Sequence, residues 1–205
     1  MYKIECSKEF KMPLQVLSYQ ERYRLLLQKS KKKKVVYIKN EFDNSTFRYR
    51  CYNVREALTS SKKYEVTYFL CEEIPKIMPY LETVDILIFQ RTSWTIEVEN
   101  LIHFAHMKKI PIVYDMDDLL YKIDYVPSFM NHIGVSFNKT NTSLYLSIAS
   151  GYEMVAKRCD AYIVTTDFLK KKIEEDYQKP TFVIPNFLNH EQEEESQIVL
   201  KNREE

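Results

Sequence analysis

Pro111–Leu120 reads PIVYDMDDLL. A short apolar run, Ile112 to Tyr114, ends at once in Asp115, Asp117 and Asp118. An apolar run of this length suits a strand buried on both faces of a parallel sheet. In open α/β sheets, ligands sit outside the carboxyl ends of the strands. Acids at that end therefore point to a site. One Asp after a strand can also serve as a turn or helix cap. Three carboxylates this close exceed what one cap requires, so one is expected to cap and the others to face a cleft.

Working outward, the same strand pattern recurs. Val35–Lys39 (VVYIK), Tyr64–Cys71, Val84–Gln90 (VDILIFQ), Ala161–Thr165 (AYIVT) and Thr181–Ile184 (TFVI) are apolar, β-branched or aromatic runs. Helical patterns separate them: Phe47–Ser61, Glu72–Leu81, Trp94–Lys108 with Ser93 as cap, Ser143–Arg158, and Asp167–Gln178 capped by its own Asp. Leu144, Ile148, Tyr152 and Val155 are placed on one face of the fourth of these. Leu119–Thr142 reads as a long irregular loop containing Pro127 and Gly134. Alternating strand and helix imply βαβ units with right-handed crossovers. The expected fold is α/β: a Rossmann-like, doubly wound, mainly parallel sheet of six or seven strands.

Residues 1–33 form an N-terminal extension ahead of that domain. Met1–Leu17 shows no clear period and is broken by Pro13, whereas Ser18–Ser30 reads as a helix. Its Tyr19, Tyr23, Leu26 and Leu27 require cover. Residues 34–189 are the domain, and 190–205 an acidic linker or tail. Lys29 and Lys31–Lys34 make a basic run that suits a solvated helix end. It also suits peripheral contact with anionic lipid headgroups.

Composition narrows the function. Hydrophobic residues are 45% and charged residues 29%, a globular balance. A net charge of +1 supplies no field for nucleic acid. No apolar run reaches membrane-spanning length, and no signal-peptide core opens the chain. Cys6, Cys51, Cys71 and Cys159 form no CxxC pair, which fits reduced thiols in a cytoplasm and no metal site. The only glycines are Gly134 and Gly151, which excludes GxGxxG and Walker phosphate loops.

A parallel sheet collects its carboxyl ends on one rim. Here these are Asn40–Thr46, Cys71–Glu72, Gln90–Arg91, Asp115–Asp118, Thr165–Thr166 and Asn186. Arg48 and Arg50 lie at the start of the first helix, where free N–H groups and a guanidinium would suit phosphate or carboxylate. Residues at i and i+2 face different ways on a helix, so only one is expected in the cleft. Arg91 follows a buried strand directly and is the strongest single cation. His103 and His106 are mid-helix, and His132 is a loop histidine.

The ordered set FRYRCYNVREAL (Phe47–Leu58), DILIFQR (Asp85–Arg91), IPIVYDMDDLLY (Ile110–Tyr121), CDAYIVTTDFLKKKI (Cys159–Ile173) and KPTFVIPNFLN (Lys179–Asn189) resembles the amino-terminal half of GT-B glycosyltransferases of the retaining group 1 (family 4) kind. The resemblance spans about residues 34–189. Glycines found in many members after the first strand are missing here, although Ser45–Arg50 loosely matches an SxxRYR-like segment. The resemblance implies the acceptor-side domain of an enzyme that moves a sugar from a nucleotide-sugar donor to a glycan or lipid-linked acceptor. It implies no metal and no cofactor beyond the donor substrate. It also implies a second Rossmann-like domain as partner, at the inner face of a membrane or free in the cytoplasm, with this chain inactive alone. The acceptor wall would comprise Asp115, Asp117 and Asp118 on the catalytic side and Arg48, Arg50 and Arg91 on phosphate. Ser45, Gln90, Thr165, Thr166 and Asn186 would form the rim.

Two rivals accompany it. IVYDMDD imitates the Asp-x-Asp motif of haloacid-dehalogenase-like phosphatases, with Asp115 as nucleophile and Mg²⁺ as cofactor. That motif belongs on the first strand of its domain, and three strands precede it here. The other rival is a non-catalytic Rossmann-like module that binds a sugar or a protein.

Overall fold

A computed structural model describes residues 16–42 and 45–201. Met1–Gln15, Asp43, Asn44 and the last four residues lie outside it, so the expectations for Pro13, for Cys6 and for the end of the acidic tail are not addressed.

The chain runs α1 (Tyr19–Leu27), β1 (Lys33–Lys39), α2 (Ser45–Phe47), a π-helical turn (Arg48–Tyr52) and α3 (Asn53–Thr59). It continues β2 (Tyr64–Leu70), a 3₁₀ turn (Cys71–Glu73), α4 (Ile74–Ile77), a second 3₁₀ turn (Met78–Thr83) and β3 (Ile86–Gln90). Next come α5 (Ile96–Lys108), β4 (Ile112–Met116), α6 (Val126–His132), α7 (Lys139–Ala156) and β5 (Ala161–Val164). The last elements are α8 (Asp167–Tyr177), β6 (Thr181–Val183) and α9 (His190–Lys201). The six strands form one sheet in the order β2-β1-β3-β4-β5-β6, and every pair is parallel. The α/β, doubly wound expectation is met.

Strand alternation sets the two layers. Val36, Ile38, Phe69, Leu87, Phe89, Ile112, Tyr114, Tyr162 and Val164 point to one face and pack beneath α1, α4, α5, α7 and α8. Val35, Tyr37, Val66, Tyr68 and Ile88 point to the other, where Phe47 and Cys51 cover them. That second face is left partly open: Val35, Tyr37, Leu58, Ile86, Val113 and Ile163 line an apolar groove of about 550 Å³.

The N-terminal helix packs onto the sheet as its apolar residues require. A capping box at Ser18 and Glu21 starts it. Leu26 is buried, Tyr19 and Tyr23 join the core, and Leu27 is left exposed. Two lysines of the basic run are structural. Lys34 is buried and donates to the carbonyl of Leu26, at the electronegative end of α1. Lys33 pairs with Asp85 at 2.6 Å.

Several local expectations are corrected. Thr95, not Ser93, caps α5, its hydroxyl accepting from the Val98 N–H at 3.3 Å. Thr166, not Asp167, caps α8. The irregular stretch after Leu119 contains α6, which Pro127 starts instead of breaking. Gly134 closes that turn with φ +69°. Leu144 stands in solvent, while Val155 is buried.

The loop before α6 is held by one carboxylate. Asp176 accepts from Tyr121 Oη at 2.8 Å, Tyr125 Oη at 2.9 Å and Lys122 Nζ at 2.7 Å. Burial opposes its charge, but these three donors hold the Asp176 pKa below the usual value. A lowered carboxylate pKa contributes stability above the unfolded value of about 3.9, lost as pH falls through the folded value. We expect Asp176→Asn to cost about 1–3 kcal/mol at pH 7. Urea unfolding should show the gap to wild type narrowing at acid pH. A gap independent of pH would mean that the carboxylate charge is not what the loop needs.

Candidate functional site

The chain reverses direction across the sheet between β1 and β3: β1 leads outward to β2, and β3 leads the other way to β4. Such a switch point opens a crevice at the strand carboxyl ends. Thr92 spans it from below, its hydroxyl donating to the Ile38 carbonyl at 2.8 Å. The walls are Lys39, Asn40, Glu41, Thr46, Arg91 and Tyr152, around about 190 Å³.

Arg91 closes one side. Its backbone is left-handed, φ +44°, an arrangement that costs a non-glycine residue about 1–3 kcal/mol and is held only by its surroundings. Those surroundings are specific. Its Nη1 contacts Asp118 at 3.1 Å, Asp117 at 3.5 Å and Thr46 Oγ1 at 3.3 Å. Its guanidinium carbon lies 5.9 Å from the Tyr152 ring centre. Gly151 brings that ring in: a Cβ there would stand 2.5 Å from Ser93 Oγ, so any side chain at this position would force Ser93 in the loop after β3 to shift. Burial opposes the Arg91 charge, and Asp118 and Asp117 more than restore it.

Asp117 and Asp118 also line a second cavity of about 400 Å³, with Leu119, Phe129, His132, Thr165, Thr166 and Phe168. Asp118 Oδ1 accepts from the Leu120 N–H at 2.8 Å, which makes it the capping aspartate. Burial pushes the Asp118 carboxyl above its usual pKa against the pull of Arg91. Phe168 is 58% exposed and presents an open ring at the mouth. Carboxylates beside aromatic faces can bind hydroxyls and C–H surfaces together.

Asp115 does not face the cleft. Its side chain and that of Arg50 are each only 1% exposed. Arg50 Nε donates to Asp115 Oδ1 at 2.8 Å and Nη2 to Oδ2 at 3.2 Å. Arg50 Nη1 donates to the Ile184 carbonyl and to Asn186 Oδ1, the latter at 3.4 Å. Both residues are thus placed beneath the rim, tying β4, the π-helical turn and the chain after β6. Burial raises the Asp115 pKa to about 6, with Arg50 opposing the rise. A carboxylate engaged on both oxygens and closed to solvent cannot act as the phosphatase nucleophile.

The remaining candidates are dispersed. Ser45 is exposed at the head of α2, and Arg48 is half-buried in the π-helical turn. Gln90 is fully buried and accepts from Lys39 Nζ. Thr165 Oγ1 reaches the Asp117 carbonyl at 3.5 Å, and Asn186 Oδ1 accepts from Arg50 Nη1 at 3.4 Å. His103 pairs with Glu99 on the outer face of α5. Lys39, Tyr152, Phe129 and Phe168 escaped sequence reasoning. A lysine closing an apolar strand was the one available signal, and strand order was needed to give it meaning. Among the described residues no helix is long and apolar enough to cross a membrane.

No protein-family model and no curated protein sequence matches the chain. Solved structures overlap it weakly. A conserved protein from Enterococcus faecalis V583 is 14% identical over 71% of this chain and 99% of its own, with a TM-score of 0.37. A short-chain dehydrogenase/reductase from Veillonella parvula, in complex with NADP, is 7% identical over 64% of this chain and 68% of its own, TM-score 0.39. A UDP-glucosyltransferase from Polygonum tinctorium is 9% identical over 78% of this chain and 53% of its own, TM-score 0.41. Overlaps this low assign no activity.

Proposed function

We propose that this is the acceptor-side domain of a glycosyltransferase that moves a sugar from a nucleotide-sugar to a glycan or lipid-linked acceptor. The observation that carries the reading is the second cavity, where Asp117 and Asp118 stand at a strand carboxyl end beside Phe129, Phe168 and two threonines. The GT-B resemblance of the surrounding motifs supplies the reaction class. On this reading Asp117 and Asp118 accept acceptor hydroxyls, Asp118 through the lone pairs left beside its bonds to the Leu120 N–H and Arg91. Arg91 fixes both carboxylates. Asp115 and Arg50 leave the wall and hold it from beneath.

The donor belongs to a second Rossmann-like domain acting as partner. Leaving-group contacts would come from there, so this chain alone is expected to show no donor turnover above a buffer control. The exposed Lys29 and Lys31, with the half-buried Lys32, would face anionic lipid if the acceptor is lipid-linked.

The test is amide NMR of the chain titrated with neutral oligosaccharides and methyl glycosides. Shifts should gather at residues 117–119, 128–132 and 165–169. Asp117→Asn and Asp118→Asn should each weaken binding about tenfold, the loss of one charged hydrogen bond. Saccharides that shift no amide in those segments would sink the reading.

A further inference from the structure

Among the described residues each buried cation but one, and the half-buried Arg91, has a carboxylate or a helix end opposite it. Arg22 has Glu73, Arg50 has Asp115, Arg91 has Asp117 and Asp118, and Lys34 has the end of α1. Lys39 is 4% exposed, and its Nζ donates to the neutral Gln90 Oε1. No carboxylate of the described residues pairs with it. A buried ammonium without a counter-charge is costly unless something supplies one. Beside it, the Gln90 Nε2 amide is buried with no acceptor. Lys39 lines the switch-point crevice with Asn40, Glu41, Thr46, Arg91 and Tyr152, and Gln90 lies buried against the Lys39 ammonium.

We propose that this crevice binds a phosphate group, anchored by Lys39 and completed by Arg91 and the Thr46 hydroxyl. Three donor side chains of different origin suit the several oxygens of a phosphate better than the two of a carboxylate. A dianion also engages Lys39 and Arg91 together while Arg91 keeps its aspartates. Those aspartates line the neighbouring cavity, so the phosphate is one borne by the ligand that lies there. Only this last step rests on the acceptor reading.

The pH response follows. Burial and Arg91 lower the Lys39 pKa to about 8. Cys51, Asp117 and Asp115 act the other way, and Glu41 lies in the same lining. Phosphate affinity should therefore fall as pH rises through that value, and a bound phosphate should raise it.

The experiment is calorimetric titration of the chain with inorganic phosphate, glucose 1-phosphate and a neutral methyl glucoside. Wild type should bind phosphate saturably. Lys39→Met should weaken it about tenfold or more while raising the unfolding temperature, because an uncompensated buried charge is gone. A merely structural lysine would instead lower that temperature. Lys39→Arg should keep phosphate binding and lose the pH dependence. Phosphate binding with no response to methyl glucoside supports the crevice and sinks the acceptor reading. Glucoside binding without saturable phosphate binding does the reverse. Phosphate binding unchanged in Lys39→Met overturns the proposal. Phosphatidic acid vesicles separate sources: co-sedimentation lost in Lys39→Met marks a lipid-borne phosphate, and phosphate binding without co-sedimentation marks a soluble one.

Discussion

Asp115→Ala should destabilise the protein by about 3–5 kcal/mol, the cost of stranding one partner of a buried ion pair. The partner left behind is Arg50, whose side chain is 1% exposed. Two of its donors, now on Asp115 at 2.8 and 3.2 Å, would lose their acceptors. Burial lifts the Asp115 pKa to about 6, while Asp115 holds the Arg50 pKa above its usual value, so desolvation and attraction oppose each other across the pair. Arg50→Met combined with Asp115→Leu should therefore recover most of the loss. Urea unfolding of the two single variants and the double variant forms a cycle that measures the coupling. If Asp115→Ala costs less than about 1 kcal/mol, the guanidinium reaches solvent and the pair is not a lock. The consequence for the site is positional. Arg50 binds β4, the π-helical turn and Ile184 at once, so the rim above it stays in register only while the pair holds.

Glu73→Ala should cost a similar amount, about 3–5 kcal/mol, and its effect should be concentrated in the N-terminal helix. Glu73 takes Arg22 with both oxygens, at 2.6 and 2.8 Å, and also accepts the Leu70 N–H at 2.7 Å. Arg22 in turn donates to the carbonyls of Tyr68 and Leu17 at 3.1 Å each. Its guanidinium carbon lies 4.9 Å from the Phe42 ring centre and 5.4 Å from that of Phe69. The pair thus fastens α1 to the edge strand β2 through one point. Hydrogen exchange should show α1 losing protection before the central strands, as a locally opening unit. Glu73→Gln should fall between wild type and alanine, since it keeps hydrogen bonds and loses the charge. Uniform loss of protection across the sheet would mean that α1 belongs to the global unfolding unit.

Sequence alone determined the class of fold. Six short apolar runs separated by helical patterns admit little besides a parallel sheet with crossover helices, because a strand buried on both faces needs a layer on each. It also determined that the strand carboxyl ends carry the polar residues, and it singled out Arg91, Asp117 and Asp118, which the fold does bring together. Local hydrogen bonds decided the caps: Thr95 takes the Val98 N–H and Thr166 the Leu169 N–H, which leaves Ser93 and Asp167 out.

What only the tertiary structure decided is which rim residues face outward. Asp115 and Asp117 differ by two positions and look alike in the chain. Asp115 lies inside β4, where Arg50, 65 residues away, reaches and covers it, whereas Asp117 lies just past the strand end. Lys39 looked like an ordinary strand end. Its meaning came from strand order, which sets β1 against β3 and leaves the ammonium buried at the switch point. Pairing across such distances depends on packing and exclusion of water, and neither is encoded in spacing along the chain.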